Sequence, residues 1–307
     1  MSDALRFDGK VVIVTGAGGG IGRAHALLFA KHGAKVVVND LGGTSDGSGA
    51  SVSIAAQAVV DEIKAAGGEA MANGASVTDF EAVQAMVHQA VDAWGRVDIL
   101  VNNAGILRDK SFAKMELADF KLVIDVHLMG AVNCTKAVWA LMNEQKYGRI
   151  VMTTSSSGLY GNFGQSNYGA AKLALVGLMQ TLSIEGAKND IRVNCLAPTA
   201  ATRMTEGLMP QEVLDALKPE AVVPAMLVLA AQDAPNRTIL CAGAGTFEAA
   251  HITMTQGAWL GIGPDAPEQL AARLAEVTSR EGETVPQSGA AQGTNEVGKA
   301  MANARRG

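Results

Sequence analysis

A short apolar run, Val11-Val-Ile-Val14, leads into Thr15-Gly-Ala-Gly-Gly-Gly-Ile-Gly22, and helical periodicity follows over 23–32. Strand, glycine turn and helix in that order commit the chain to a βα unit, because the turn brings backbone segments close together where side chains would collide. A second strand, Lys35-Val-Val-Val-Asn-Asp40, and a helix over 57–66 repeat the unit, separated by a Gly- and Ser-rich loop over 42–53. The alternation continues with a weak strand at 70–72, a helix at 80–94, a strand at 97–101 and a long helix at 118–145. A strand at 149–153, a helix at 166–188 and a strand at 191–196 follow. Short strands alternating with helices form βαβ crossovers, hence a parallel sheet covered on both faces. Right-handed crossovers make this an α/β fold, a Rossmann-type doubly wound parallel sheet.

Because the glycine turn opens a helix, its backbone N–H groups and the helix dipole suit a pyrophosphate, with Gly16, Gly20, Ile21 and Gly22 as the candidate cradle. Asp40 ends the second strand, where a carboxylate accepts both ribose hydroxyls of an adenosine and repels a 2′-phosphate. No Lys or Arg lies between Gly16 and Gly22, so the expected cofactor is NAD. Further along, Tyr168 and Lys172 stand four apart on one helix face, and Ser155 precedes Tyr168 by thirteen residues at the end of the fifth strand. An ammonium beside a phenol of ordinary pKa near ~10 favours the phenolate, a proton acceptor for an alcohol. The Ser155 hydroxyl would orient the alcohol oxygen. A surface Tyr and Lys have the same spacing, so the pattern takes its meaning from its surroundings.

The 307 residues are 48% hydrophobic and 18% charged, ample for a substantial core. A net charge of -5 argues against nucleic acid or anionic membrane as partner. Cys134, Cys195 and Cys241 are scattered and form no CxxC, so neither a disulfide framework nor a metal site is expected. The N-terminus has no apolar signal stretch and no segment is long and apolar enough to span a bilayer, so a cytoplasmic setting is expected. The expected domains are one Rossmann unit over 1–262 and an extension over 263–307. Asp265-Ala-Pro-Glu268 would open a helix over 265–280, followed by a mobile or partner-docked tail.

Thr15-Gly-Ala-Gly-Gly-Gly-Ile-Gly22, Asn102-Asn-Ala-Gly105, Ser155 and Tyr168-xxx-Lys172 together resemble the short-chain dehydrogenase/reductase family over about residues 6–262. The resemblance implies a sheet of about seven strands, with one more strand near 238–241, and a nicotinamide cofactor. It implies hydride transfer with Tyr168 as base, Lys172 on ribose hydroxyls and Ser155 orienting substrate, in a homodimer or homotetramer. It also implies cofactor contacts from Ser76, Val77, Asn103, Ala104, Gly105, Tyr168, Lys172, Pro198 and Thr202.

Val38-Asn-Asp-Leu-Gly-Gly43, Asn103-Ala-Gly-Ile-Leu-Arg-Asp109, Gly158-Leu-Tyr-Gly-Asn-Phe-Gly-Gln165 and Arg203-Met-Thr205 look like the (3R)-hydroxyacyl-CoA dehydrogenase part of peroxisomal multifunctional enzymes of type 2. That likeness implies a small-molecule substrate with a long apolar body, an acyl-CoA or a steroid, under a lid over 199–227. Three departures stand out. His127 occupies the position of an Asn that helps hold a water in a proton path, and its involvement in catalysis is left open. The Asp that meets adenine is missing from Gly74-Ala-Ser-Val-Thr78, leaving Ser76, and Pro198-Thr199 replaces Pro-Gly. The last residues, Ala304-Arg-Arg-Gly307, are not a Ser-Lys-Leu address, which fits a free-standing cytoplasmic version. Competing readings are a hydroxysteroid dehydrogenase and a non-catalytic NAD-binding regulator or scaffold; the intact Ser155, Tyr168 and Lys172 favour an enzyme.

Overall fold

The computed structural model describes residues 5–42, 54–201 and 210–305. Eight strands form one sheet in the order β3-β2-β1-β4-β5-β6-β7-β8. They are β1 Val11–Thr15, β2 Lys35–Asn39, β3 Glu69–Asn73, β4 Ile99–Asn102, β5 Gly148–Thr153, β6 Ile191–Thr199, β7 Ile239–Gly243 and β8 Thr246–Ala250. All pairings from β3 across to β7 are parallel. The four central strands β1, β2, β4 and β5 are buried almost throughout, as a parallel sheet covered on both faces requires.

One strand exceeds the expected number. Ala244 at φ 49 and Gly245 at φ 75 make a two-residue turn of positive φ, which folds β8 back antiparallel on β7. Its sequence, Thr246-Phe-Glu-Ala-Ala250, lies exposed at the sheet edge and so lacks the apolar run that marks the other strands.

Strand order reverses between β1 and β4, whose register pairs Val12 with Ile99 and Val14 with Val101. In open α/β sheets, ligands bind outside the carboxyl ends of the strands at such a reversal. The covering helices are α1 Gly20–Lys31, α2 Ile54–Ala65, α3 Phe80–Trp94, α4 Leu117–Ile124, α5 Gly130–Gln145, α6 Ser156–Tyr160 and α7 Ser166–Gly186. Further along come α8 Gln211–Ala216 and α9 Val223–Ala230. The long helix expected over 118–145 is α4 and α5 joined by a single π-turn, Asp125–Met129, which carries His127. Such a wider turn re-aims side chains and recurs at functional sites.

The amino end of the sheet is closed by ionic contacts. Arg149 is fully buried and donates to the carbonyls of Ala231 at 2.9 Å, Asp190 at 2.6 Å and Gln232 at 2.6 Å, and to the Asp190 carboxylate at 3.0 Å. The Tyr147 ring lies between Lys10 Nζ, 3.7 Å from its centroid, and the Arg149 guanidinium at 4.2 Å. Buried Asp98 accepts the Val11 N–H at 2.9 Å and pairs with Arg96.

The chain divides into compact units at 249/250, Met1–Ala249 and Ala250–Gly307, whereas the sequence suggested 262/263. Within the second unit, the helix expected over 265–280 is two pieces, α10 Ala266–Ala272 and α11 Leu274–Val277, because Arg273 leaves helical geometry at φ -111 and ψ 18. The stretch expected to be a mobile or docked tail contains α12, Ala290–Ala304, whose Gly293 and Gly298 obscure an otherwise alanine-rich helix. No helix among the described residues is long and apolar enough to cross a membrane.

His25, on α1, is fully buried, and neither ring nitrogen has a hydrogen-bond partner among the described residues. Burial pushes its pKa down to about 3. An unfolded histidine takes up its proton near ~6.5, so between that pH and about 3 the unfolded chain binds more protons and stability falls as pH falls. His25→Met is expected to raise stability at pH 7 by roughly 1–3 kcal/mol and to make the acid loss of melting temperature shallower. Thermal denaturation across that range checks this, and an unchanged slope would count against it.

Candidate active site

Three glycines of the first turn are required by close packing. A Cβ on Gly16 would stand 2.8 Å from Ala104 Cα, one on Gly18 would stand 2.8 Å from the Asp40 carboxyl carbon, and one on Gly22 would overlap the Gly16 carbonyl oxygen. Gly20, at φ 52, faces open space instead. The turn is therefore packed on one side and open on the other, at the N-terminus of α1. There Gly19 makes no side-chain cap and the first helical turn holds no acid. That arrangement fits the pyrophosphate of a dinucleotide. Asp40 Oδ2 accepts the Gly18 N–H at 2.9 Å and Oδ1 accepts the Gly42 N–H at 2.8 Å, so the carboxylate is fixed beside the turn at the end of β2.

The Asn102-Asn-Ala-Gly105 loop is fastened to the same turn. Thr15 Oγ1 accepts the N–H groups of Asn103 and Ala104, each at 3.0 Å, and the Asn103 side chain donates to the carbonyls of Thr15 at 2.9 Å and Gly16 at 3.1 Å. Asn102 points the other way and braces the scaffold by donating to Thr135 Oγ1 at 3.1 Å. Gly105 leaves room for His127, whose ring a Cβ there would overlap. Val77 is buried against Gly130, and its carbonyl accepts from Asn133 at 2.9 Å, while the Ser76 hydroxyl is bonded to Thr78 Oγ1 at 2.8 Å. Pro198 and Thr199 end β6. Thr202, and with it the lid residues 202–209, lie outside the described residues; from the rest of the expected lid, Met226 is buried in the core cluster.

Ser155, Tyr168, Lys172 and His127 come together at the carboxyl end of β5. Ser155 is the N-cap of α6, its Oγ accepts the Ser157 N–H at 3.1 Å, and its hydroxyl draws the pKa of the Tyr168 phenol down. Lys172 is buried and donates to the Thr153 carbonyl at 2.6 Å, with Nζ 5.4 Å from the centroid of the Tyr168 ring. Thr154 Oγ1 donates to the Lys172 carbonyl at 2.7 Å and so anchors α7 to β5. His127 packs edge-to-face on Tyr168, centroids 5.2 Å apart, and its Nε2 meets the backbone of Ile106. A cavity of about 10 Å³, the room one water needs, is lined by Thr15, Asn102, His127 and Lys172.

Electrostatics here depart from the sequence argument. Burial lowers Lys172 to about 7 and His127 to about 3, the latter with a further push from Lys172. Tyr168 is raised above the ordinary phenol, chiefly by burial and also by Asp109, while the bond from Ser155 opposes this. The expectation that Lys172 draws the phenol down counted charge alone and left out the loss of hydration that accompanies burial.

Beside two residues of the expected lid, Thr199 and Leu217, this end of the sheet holds Cys241 and Glu248, which the sequence did not single out as site residues. A cavity of about 190 Å³ at the ends of β6 and β7 is lined by Thr199, Leu217, Cys241 and Glu248, among others. Gln165 and Asp109, bonded to each other at 2.6 Å, were quoted only as part of a likeness, since nothing in their spacing reveals the contact.

The short chain dehydrogenase family model matches residues 10–213. The chain belongs to this family. It is 52% identical over 264 residues to the peroxisomal multifunctional enzyme type 2 of Drosophila melanogaster, covering 86% of this chain and 44% of that protein. The chain thus spans less than half the length of that relative. A crystal structure of a short chain dehydrogenase from Mycobacterium avium is similar at 41% identity and TM-score 0.75, covering 88% of this chain and 95% of that one. A 7α-hydroxysteroid dehydrogenase complexed with NADH and 7-oxo glycochenodeoxycholic acid is similar at 32% identity and TM-score 0.71, covering 80% and 97%.

Because the Gly105 and His127 positions compete for one volume, Gly105→Ala is expected to destabilise this dehydrogenase by about 1–3 kcal/mol and to weaken dinucleotide binding. Adding His127→Ala is expected to recover most of the melting temperature. A double-mutant cycle by thermal denaturation checks the coupling, and additive losses would refute it.

Proposed function

We propose that the chain is an NAD-dependent dehydrogenase that oxidises a secondary alcohol to a ketone, with a (3R)-hydroxyacyl-CoA as substrate. The observation that carries this reading is the meeting of Ser155, Tyr168 and Lys172 at the end of β5, beside a glycine cradle flanked by Asp40. In this reading Gly16, Gly20, Ile21 and Gly22 hold the pyrophosphate and Asp40 takes the adenosine ribose. Ser76 and Val77 border the adenine, Asn103, Ala104 and Gly105 line the dinucleotide, and Pro198 and Thr202 meet the carboxamide. Lys172 and Tyr168 reach the second ribose. A nicotinamide bound there supplies the hydride acceptor. NAD is favoured over NADP because Asp40 would repel a 2′-phosphate and the turn carries no cation.

Proton transfer falls to the chain's own groups. Ser155 donates to the substrate oxygen and holds it against the Tyr168 hydroxyl, and Tyr168 takes the alcohol proton. Burial holds Tyr168 protonated at neutral pH, which suits ketone reduction, so oxidation is expected to gain rate as pH rises. His127, uncharged at that pH, packs edge-on against the ring, and its buried Nδ1 has no hydrogen-bond partner among the described residues.

An acyl thioester is preferred to a steroid on the likeness of Gly158-Leu-Tyr-Gly-Asn-Phe-Gly-Gln165 to hydroxyacyl-CoA dehydrogenases. Exposed apolar residues on α4 and α7, such as Leu117, Leu173 and Ile184, support a homodimer or homotetramer. Three free cysteines support a reducing, cytoplasmic compartment.

Purified protein given NAD and a (3R)-hydroxyacyl-CoA is expected to form NADH, faster as pH rises. Tyr168→Phe should cut kcat by about 10²–10⁴-fold with NAD affinity nearly unchanged. Turnover of a free hydroxysteroid without the thioester would overturn the substrate, and an undiminished rate in Tyr168→Phe would overturn the mechanism.

A further inference from the structure

Gln165 occupies the N-cap position of α7, yet its side chain does not cap that helix. It reaches outward in two directions instead. Its Oε1 accepts the Ser157 hydroxyl at 2.7 Å and the Asn162 amide at 3.0 Å, and its Nε2 donates to Asp109 Oδ2 at 2.6 Å. The loop that carries Asp109 is clamped on both sides of this contact, by Lys110 N–H to the Gly164 carbonyl at 2.9 Å and by Asn167 Nδ2 to the Arg108 carbonyl at 3.0 Å. Arg108 and Lys110, which flank Asp109 in sequence, both turn to Asp119. No cation among the described residues pairs with Asp109.

Ser157 is where this arm meets the reacting groups. Its side chain is held by Gln165 while its backbone N–H donates to Ser155 Oγ. With that lone pair engaged, the Ser155 hydroxyl is left to face Tyr168. We infer that Asp109 and Gln165 are positioning residues that act through Ser157 to set the direction of the Ser155 hydroxyl and to place one unpaired negative charge near the Tyr168 phenol. The inference rests on the reading of Ser155 and Tyr168 as the reacting pair.

The ionisable groups that face Tyr168 are Lys172 from its own helix, His127 from the π-turn and Asp109 from the loop after β4. His127 is uncharged near neutrality, so Asp109 is the anion of the set. Its carboxylate opposes formation of the phenolate. Removing that charge therefore moves the acid limb of alcohol oxidation to lower pH, and the alkaline limb of ketone reduction in the same direction.

The test is steady-state kinetics across pH on the full chain with NAD and a (3R)-hydroxyacyl-CoA, with melting temperature and NAD affinity recorded for every variant. Asp109→Asn keeps an acceptor for Gln165 and removes the charge; it is expected to shift the acid limb of kcat down by roughly half a unit. Gln165→Leu breaks the arm and is expected to lower kcat by about 10- to 100-fold with NAD affinity unchanged. Gln165→Glu places two carboxylates face to face and should lose kcat as well. Combining it with Asp109→Asn restores a donor and an acceptor with their places exchanged, and should return kcat to within about threefold of the parent. A double variant no better than Gln165→Glu, or a Gln165→Leu enzyme with parental kcat and pH profile, would overturn the inference. If Tyr168→Phe is inactive while the arm variants behave like the parent, only the arm is wrong; if Tyr168→Phe turns over normally, the reading beneath it falls too.

Discussion

One hydroxyl holds the site together. Thr15 Oγ1, buried at the end of β1, accepts two successive backbone N–H groups from the loop after β4, and Asn103 answers with two bonds to the carbonyls of the glycine turn. These bonds span the strand reversal, where two neighbouring strands leave a crevice and no ladder joins their loops. The Asn103 amide and the backbone N–H groups of Asn103 and Ala104 thus find their partners on the other loop. The room left at Gly105 then determines how far His127 can approach, and His127 fixes the ring face of Tyr168. A chain of contacts thus runs from the glycine turn to the Tyr168 phenol without leaving the carboxyl end of the sheet.

That end of the sheet is electrostatically tense. A lysine is buried against one backbone carbonyl, and beside it a phenol is buried whose pKa only the neighbouring serine draws down. Desolvation pushes both toward their neutral forms. Groups kept near neutrality in a dry site move protons at modest cost, which is the usual reason for tuning acids and bases by burial.

Much of the fold was legible because strands β1, β2, β4 and β5 carry continuous apolar runs and α3 has an amphipathic pattern. Edge and extension elements were not. β8 has one exposed aromatic and no alternation that burial would impose, and α12 hides behind two glycines. The π-turn at His127 could not be seen, since the apolar residues before and within it, Leu122-Val-Ile124, Val126, Leu128 and Met129, are dense enough to hide a shift of one residue. Within the site, the spacing of Ser155, Tyr168 and Lys172 took its meaning from the glycine turn and the strand before it, and the fold brings the three together. The sense of the phenol's shift needed burial, and the Asp109 to Gln165 bond joins residues 56 apart in sequence.

The buried Arg149 at the amino end of the sheet has a consequence for how such a chain can change. Its guanidinium gathers carbonyls from the ends of α9 and of the turn before β6, and Asp98 and Tyr147 complete a floor of charged and aromatic groups. Stability anchored there is independent of the loops on the opposite side. Changes in the loops at the carboxyl end of the sheet can therefore accumulate without unravelling the strands beneath. A scaffold with a locked base and a permissive rim is one on which new substrate preferences can arise by drift.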